Sequence, residues 1–466
     1  MEPYSAPHDT VWSFPFAPPD WEHTPTAVQA YVHTLHDELT QLRARVDALE
    51  ARLTQNSTTS HRPPLSDSPN KKSGLRTTAV TPRKGVGKPG HPGHRQGLLP
   101  PTTVYELKPV RCACRHTTFS LAKSFYTHQV IELPPIAIEV THFVLHQSWC
   151  AHCGNWTQAQ VPAEHASGYG PRFRALIGEL AGTYGNGRRM VQTFGTSVLQ
   201  VPISLGAIQK VLDRMAQAIE LHYSAIATQA RHALASYIDE TSWWCTHTLH
   251  WLWVMVSERV AFHMIHPRRS NEAFAALIDD WEGILVSDGY GVYQSWVEAR
   301  QTCLAHLIRT AWGLAERQQP DLAACGTWAL AELPRLCPMA KAPHTGGEWR
   351  AWDARLCRLI DQYHDRQDDA GVFARRLLRE MDSLWIVLAQ YGVDPTNNRA
   401  EGALLFGVLW RKRSHGTAST KGNRWVERML SLKETCRLQA CSTYNVLVDA
   451  VTRFFHGQQP DLSWIN

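Results

Sequence analysis

The sequence predicts a multidomain protein built around an α/β core, and three features carry that prediction. The chain has 466 residues, more than a single hydrophobic core accommodates. Strand-like runs rich in Ile, Val and Trp begin near residue 234 and are interrupted by a helical stretch, the order of an α/β sheet. Ahead of them stand a heptad repeat, a basic Pro/Gly/Ser tract and two cysteine pairs, none of which fits inside such a core.

Composition narrows the class. At 44% hydrophobic and 19% charged the chain is globular overall. It contains no run of about 18 apolar residues, so no membrane-spanning helix is expected. The opening MEPYSAPHDTVWSFPF has no basic stretch followed by an apolar one, and a cytoplasmic location is expected. There the eleven cysteines read as thiols or metal ligands rather than disulfides. The net charge of +5 hides an asymmetry: residues 1–60 hold three Lys/Arg against eight Asp/Glu, and residues 61–115 eleven against two. A basic excess of that size suits a polyanion such as nucleic acid, or simply a solvated linker.

Residues 1–27, rich in Pro and aromatics, show no period and are expected to be disordered. Over 28–55 a heptad follows. Val28, Val32, Leu35, Leu39, Leu42, Val46, Leu49 and Leu53 fill every a and d position, which specifies a coiled coil and hence a homo-oligomer. One amphipathic helix packed on its own chain is the alternative. Residues 56–100 form a basic flexible linker that includes KPGHPGH (Lys88 to His94), where turn residues recur at nearly every step.

Residues 101–163 look like short strands around Cys112 and Cys114 (C-x-C) and Cys150 and Cys153 (C-x-x-C before glycine). That spacing is zinc-ribbon-like, with four thiolates around a structural Zn²⁺; a metal-free ribbon is the alternative. Residues 164–232 read as helical. Pro171 suits the first position of one helix, and a turn around Gly195 to Ser204 joins two more in a helix-turn-helix-like arrangement. Arg188, Arg189 and Lys210 would be its DNA-binding cations, although plain helical packing accounts for the pattern equally well.

In the α/β region SYIDET ends on Asp239 and ILVSDGY on Asp288, each after an apolar strand. A carboxylate there is costly unless paired or bound to a cation. Two such strands can bring their acids together around divalent ions, and Glu401, near the start of a later helix, could complete the set. Oxygen ligands of this kind suit Mg²⁺ or Mn²⁺, and two ions clamp the attacking and leaving oxygens of a phosphodiester. Surface or turn roles for the acids remain the alternative. A cap at Asn397 or Asn398 would open the Glu401 helix, and a last helix is expected from about Arg424 to His456.

Taken together, the heptad helix, Gln55 to Ser57, KPGHPGH, the cysteine pairs, GYGPRFRALIGELAGTYG, IDETSWW, HWLWV, ILVSDGYGVY, CLAHLIR and NNRAEGALLFGVLWRKRSHG resemble the transposases of the insertion sequence 66 family. The resemblance spans nearly the whole chain. It implies a DDE transposase with an RNase H-like core at 233–311 and 391–430, interrupted by a helical insertion at 312–390 and followed by a C-terminal helical region at 431–466. Asp239, Asp288 and Glu401 match the catalytic acids, and His306 of CLAHL would sit near the scissile phosphate. The four cysteines match the zinc-binding region, although the family more often shows C-x-x-C where Cys112 and Cys114 form C-x-C. The partners implied are the terminal inverted repeats, target DNA and helper proteins encoded by the same element. Arg411, Lys412, Arg413, Lys421 and Arg424 would hold DNA backbone beside Glu401.

Overall fold

A computed structural model describes residues 21, 23–54, 97–121, 123–162, 165, 168–296, 298–341 and 345–465. The expected disordered tract up to residue 20, and the linker from 55 to 96 with Gln55 to Ser57 and KPGHPGH, lie outside the described residues. By contacts the chain divides into two compact units: Met1–Lys72, Tyr223–Ala440 and Ser463–Asn466 in one, Ser73–His222 and Cys441–Leu462 in the other. Helices of two turns or more are labelled in chain order.

The heptad lies on one continuous helix, α1 (Thr26–Thr54), with Val28, Leu35, Leu39, Leu42, Val46 and Leu49 exposed along it. The strands expected around Cys112 and Cys114 are not formed: the described residues of 97–146 hold turns and bends but no helix or strand. The first cysteine pair makes a turn, Arg115 N donating to Cys112 O and Cys112 N to His116 O, both at 2.8 Å, and the second carries strands. There β1 (Gln147–Cys150) and β2 (Asn155–Gln158) pair antiparallel, Trp149 opposite Trp156. Gly154, at φ 67°, lets the knuckle turn, and its N–H donates to Cys150 O at 2.9 Å.

Four helices follow. Pro171 opens α2 (Pro171–Gly178) at the position where a missing N–H costs nothing. Helix α3 (Arg188–Ser197) and helix α4 (Leu205–Ala218) are joined as the sequence suggested, Ser204 Oγ accepting from Ala207 N at 3.1 Å to cap the second. Helix α5 (Glu220–Arg231) leads to the sheet.

The sheet holds β3 (Ala235–Cys245), β4 (Thr248–Val256), β5 (Ala261–His266), β6 (Ile284–Ser287) and β7 (Arg300–Thr302), in the order β5-β4-β3-β6-β7. β4 runs antiparallel to both β3 and β5, and β6 and β7 continue parallel to β3. β7, three residues long, is absent from the sequence reading. The β3–β4 turn, Thr246–His247, has both residues at positive φ, the geometry that favours Asn-Gly, and Thr246 N is tethered to Thr417 O at 2.9 Å. Helix α6 (Asn271–Ile278) crosses between β5 and β6, capped by Ser270.

Helices α7 (Leu304–Ala315), α8 (Pro320–Glu332), α9 (Gly346–Tyr363) and α10 (Asp369–Glu380) close around their own core of Leu307, Ala329, Trp352, Phe373 and Leu377. They meet the sheet through Glu380, fully buried, which pairs with Arg300 and accepts from Thr302 Oγ1 at 2.6 Å. That pairing gives so short a β7 its anchor.

Helices α11 (Asn398–Ser414) and α12 (Thr420–Leu438) then pack on the sheet, joining Tyr237, Trp243, Leu252, Val254 and Val286 in one apolar cluster. The chain between them turns at Gly416, φ 100°, where any Cβ would collide with Trp244 O. The N–H groups on the free edge of β5 find partners on α12: Ala261 N donates to Thr435 Oγ1 at 3.1 Å, His263 N to Ser431 Oγ at 2.8 Å, Ile265 N to Glu427 Oε1 at 2.6 Å. Spaced four apart, those acceptors form one stripe of the helix, matching alternate residues of the strand. The expected last helix is two: the chain breaks at Ala440, φ 52°, and resumes as α13 (Thr443–Phe455).

Candidate active site

Asp239 lies mid-strand, not at the strand's end as the sequence suggested, because β3 runs on to Cys245 against β4. What ends near it is the parallel pairing, whose last register is Tyr237 with Val286. Asp288 follows the final residue of β6. Asp239 therefore lies just past the last parallel pair and Asp288 just past the carboxyl end of β6, on the side where open α/β sheets form their crevices.

Glu401 sits in the first turn of α11. Asn397 does not cap this helix with its side chain; Asn397 Nδ2 donates instead to Ile238 O at 2.9 Å, next to Asp239. Asn397 N donates to Cys303 Sγ at 3.1 Å, and Cys303 N to Ser287 O at 2.8 Å. The start of the Glu401 helix is thus bonded to the strand of each aspartate.

The three acids share one electrostatic neighbourhood. Burial, then repulsion from Glu240, Asp288 and Glu401, holds the Asp239 carboxyl well above the usual range, against one donated bond from Glu240 N at 2.8 Å. Asp288 Oδ1 accepts from Tyr290 N at 2.9 Å. Glu401 faces Arg309, whose Nη2 lies 3.2 Å from Oε1, and His306, whose Nε2 is 3.6 Å away. Burial, with Arg309 and Arg376 near it, pushes the His306 imidazole down to about 3, so it is neutral at ordinary pH. Among the described residues no three His, Cys, Asp or Glu side chains close around one ion-sized space.

Sequence reasoning missed several neighbours. Strand alternation sends Glu240 to the face opposite Asp239, where it takes Arg269 Nε at 2.6 Å and the Tyr293 hydroxyl. Arg376 of α10 lies over Gly289: a Cβ there would meet its Nη2 at 2.5 Å. Arg309, one turn beyond His306 on α7, had a readable signal in that i, i+3 spacing.

The model of the Transposase IS66 family matches residues 186–424, which contain all of these side chains. The chain belongs to that family. Residues 17–97 match a second model, described as a family of unknown function (DUF6444). No curated protein matches the chain. Membership makes DNA the partner and transposition the general activity. No helix of the described residues is long and apolar enough to cross a membrane.

The cations expected on DNA in this transposase separate into two groups. Arg411 is bound inward, its Nη1 donating to Thr241 Oγ1 at 3.1 Å and to Ser242, so its half-buried guanidinium braces β3. Arg424, itself exposed, pairs at 3.0 Å with buried Glu427, the acid that holds Ile265 N. Lys412, Arg413 and Lys421 are exposed, as are Arg188, Arg189 and Lys210; Arg188 bonds Gln209. The cysteine pairs are each self-contained. Hydrogen bonding from Cys114 lowers the Cys112 thiol, and that from Cys153 lowers Cys150. Neither His116 nor His152 joins them in a group of three among the described residues.

Proposed function

We propose that the chain is an insertion-sequence transposase with an RNase H-like core, in which Asp239, Asp288 and Glu401 are the catalytic acids. One observation carries the reading: Asp239 lies just past the last parallel β3–β6 pair and Asp288 just past the end of β6, and Asn397 ties the Glu401 helix to the backbone beside Asp239. The sheet order, three antiparallel strands followed by two parallel ones, supports it. The donor set fits hard divalent ions in kind: three carboxylates supplying only oxygen, Asp239 raised by burial and then by the charge of Glu240, Asp288 and Glu401. Bound Mg²⁺ or Mn²⁺ would activate the attacking oxygen and stabilise the leaving one.

In the first step a water oxygen bonds to phosphorus at the element's end, the P–O3′ bond breaks, and a 3′-OH is freed. In the second that 3′-OH attacks a target phosphodiester and displaces its O3′. The acids orient these groups; neutral His306 stands beside Glu401, able to accept or donate a hydrogen bond near the scissile phosphate. Exposed Lys412, Arg413 and Lys421 would neutralise backbone phosphates near α11, and Arg188, Arg189 and Lys210 would do so at the helix pair α3–α4. Helix α1 would dimerise through its exposed seam, and the cysteine pairs would take a structural Zn²⁺.

The test is strand transfer. The full chain with Mn²⁺ and a duplex carrying the inverted repeats that flank its gene is expected to join 3′ ends to a plasmid, leaving short target duplications. Cleavage without joining would make it another nuclease of this fold. Binding without either would make it a non-catalytic descendant.

A further inference from the structure

Glu401 is not open to an incoming ion. Arg309 Nη2 lies 3.2 Å from one of its carboxylate oxygens and 3.4 Å from the other, with the two side chains only 19% and 27% exposed. On the far flank Arg376, from α10, partly buried, rests against Gly289, with the charges of Glu380 and then Asp288 acting on it. His306 is subject to both cations. Two guanidiniums from the helical segment between Asp288 and Glu401 thus stand over the acids, one of them already holding the carboxylate that an ion would need.

We propose that Arg309 and Arg376 form a subsite for a DNA phosphodiester, and that Arg309 holds Glu401 back until a phosphate draws the guanidinium away. The inference rests on Glu401 being an ion ligand, as read above. Guanidinium is matched to phosphate as well as to carboxylate, forming paired, charge-assisted bonds with either. The exchange conserves charge contacts: phosphate replaces carboxylate on Arg309, and a divalent ion replaces Arg309 on Glu401. DNA and ion must then bind with positive coupling, and by linkage each raises the other's affinity equally.

Mn²⁺ binding to the full chain without DNA, read from the free-ion paramagnetic signal, tests this apart from activity. Arg309→Gln is expected to bind Mn²⁺ about tenfold more tightly than wild type, because a cation beside the ligand is gone. Arg309→Lys, keeping the charge, stays near wild type. A mixed-sequence duplex raises the wild-type Mn²⁺ affinity about tenfold and that of Arg309→Gln far less. Equal Mn²⁺ affinity in wild type and Arg309→Gln overturns the hold on Glu401, and so does a duplex without effect on wild type. If Arg309→Gln/Glu401→Gln binds as tightly as Arg309→Gln alone, Glu401 is no ligand and the acid-site reading fails instead. Arg376→Gln is expected to lower the salt dependence of duplex binding by about one phosphate contact. An unchanged slope removes Arg376 from the subsite.

Discussion

The α/β unit and the cysteine segment solve the problem of order differently. In the first, Trp243, Trp253, Leu252 and Met255 have no exposed surface. In the second, Leu107 is 92% exposed and Phe125 97%, and among its described residues only the Cys150–Cys153 hairpin carries strands. A region that buries so little cannot offset its own chain entropy, and stability must reach it from outside the apolar effect. Thiols whose partners already lower them are suited to a metal that binds the thiolate. One chain thus combines an α/β body that buries its large apolar side chains with a segment that leaves most of its own exposed.

That contrast can be broken at several points. The largest expected effect is chemical: Asp239→Asn removes a ligand charge while keeping shape, and single-turnover cleavage should fall at least about a thousandfold with duplex binding retained. Cleavage at the wild-type rate would remove Asp239 from the site. Next, Trp253→Ala in the core should cost about 3–5 kcal/mol in urea unfolding, whereas Phe125→Ala should stay within about 0.5 kcal/mol. Comparable losses would abolish the distinction.

A smaller effect is set by pH. His263 is wholly buried, and burial holds its imidazole down at about 4 from an ordinary 6.5. Its pKa falls on folding, so its contribution is complete above about 6.5 and lost as pH drops toward about 4. Near pH 5 the core should be about 2 kcal/mol weaker than at neutral pH from this group. His263→Gln should flatten that part of the profile in denaturant midpoints, and an unchanged slope would assign it elsewhere. Last, chelation should loosen residues 101–163 in amide exchange while leaving the melting of the α/β unit where it was. Protection unchanged by chelator would mean that no metal orders them.

What could be read in the sequence was what repeats locally. The heptad of α1, Pro171 opening α2, the Ser204 turn and the apolar runs of β3 to β6 all follow from spacing and caps. What could not be read depends on distant partners. β7 exists because Glu380, far along the chain, takes Arg300 and Thr302. Nothing in the basic run of Arg411 announces that Thr241 and Ser242 lie within its reach. Asn397 looked like a cap and is a strand tie. The break at Ala440 carries neither Gly nor Pro to announce it. The two aspartates were visible as acids after apolar strands, whereas the guard on Glu401 needed α7 folded beside α11.

The stripe of Glu427, Ser431 and Thr435 along β5 also has a consequence in time. Until α12 has been synthesised and docked, the amides of Ala261, His263 and Ile265 face outward on an unpaired strand edge. For much of its synthesis the nascent sheet therefore presents a template on which another copy could add a strand. Closure comes late, with the helix that begins at Thr420. Truncated products ending before it should be the insoluble ones.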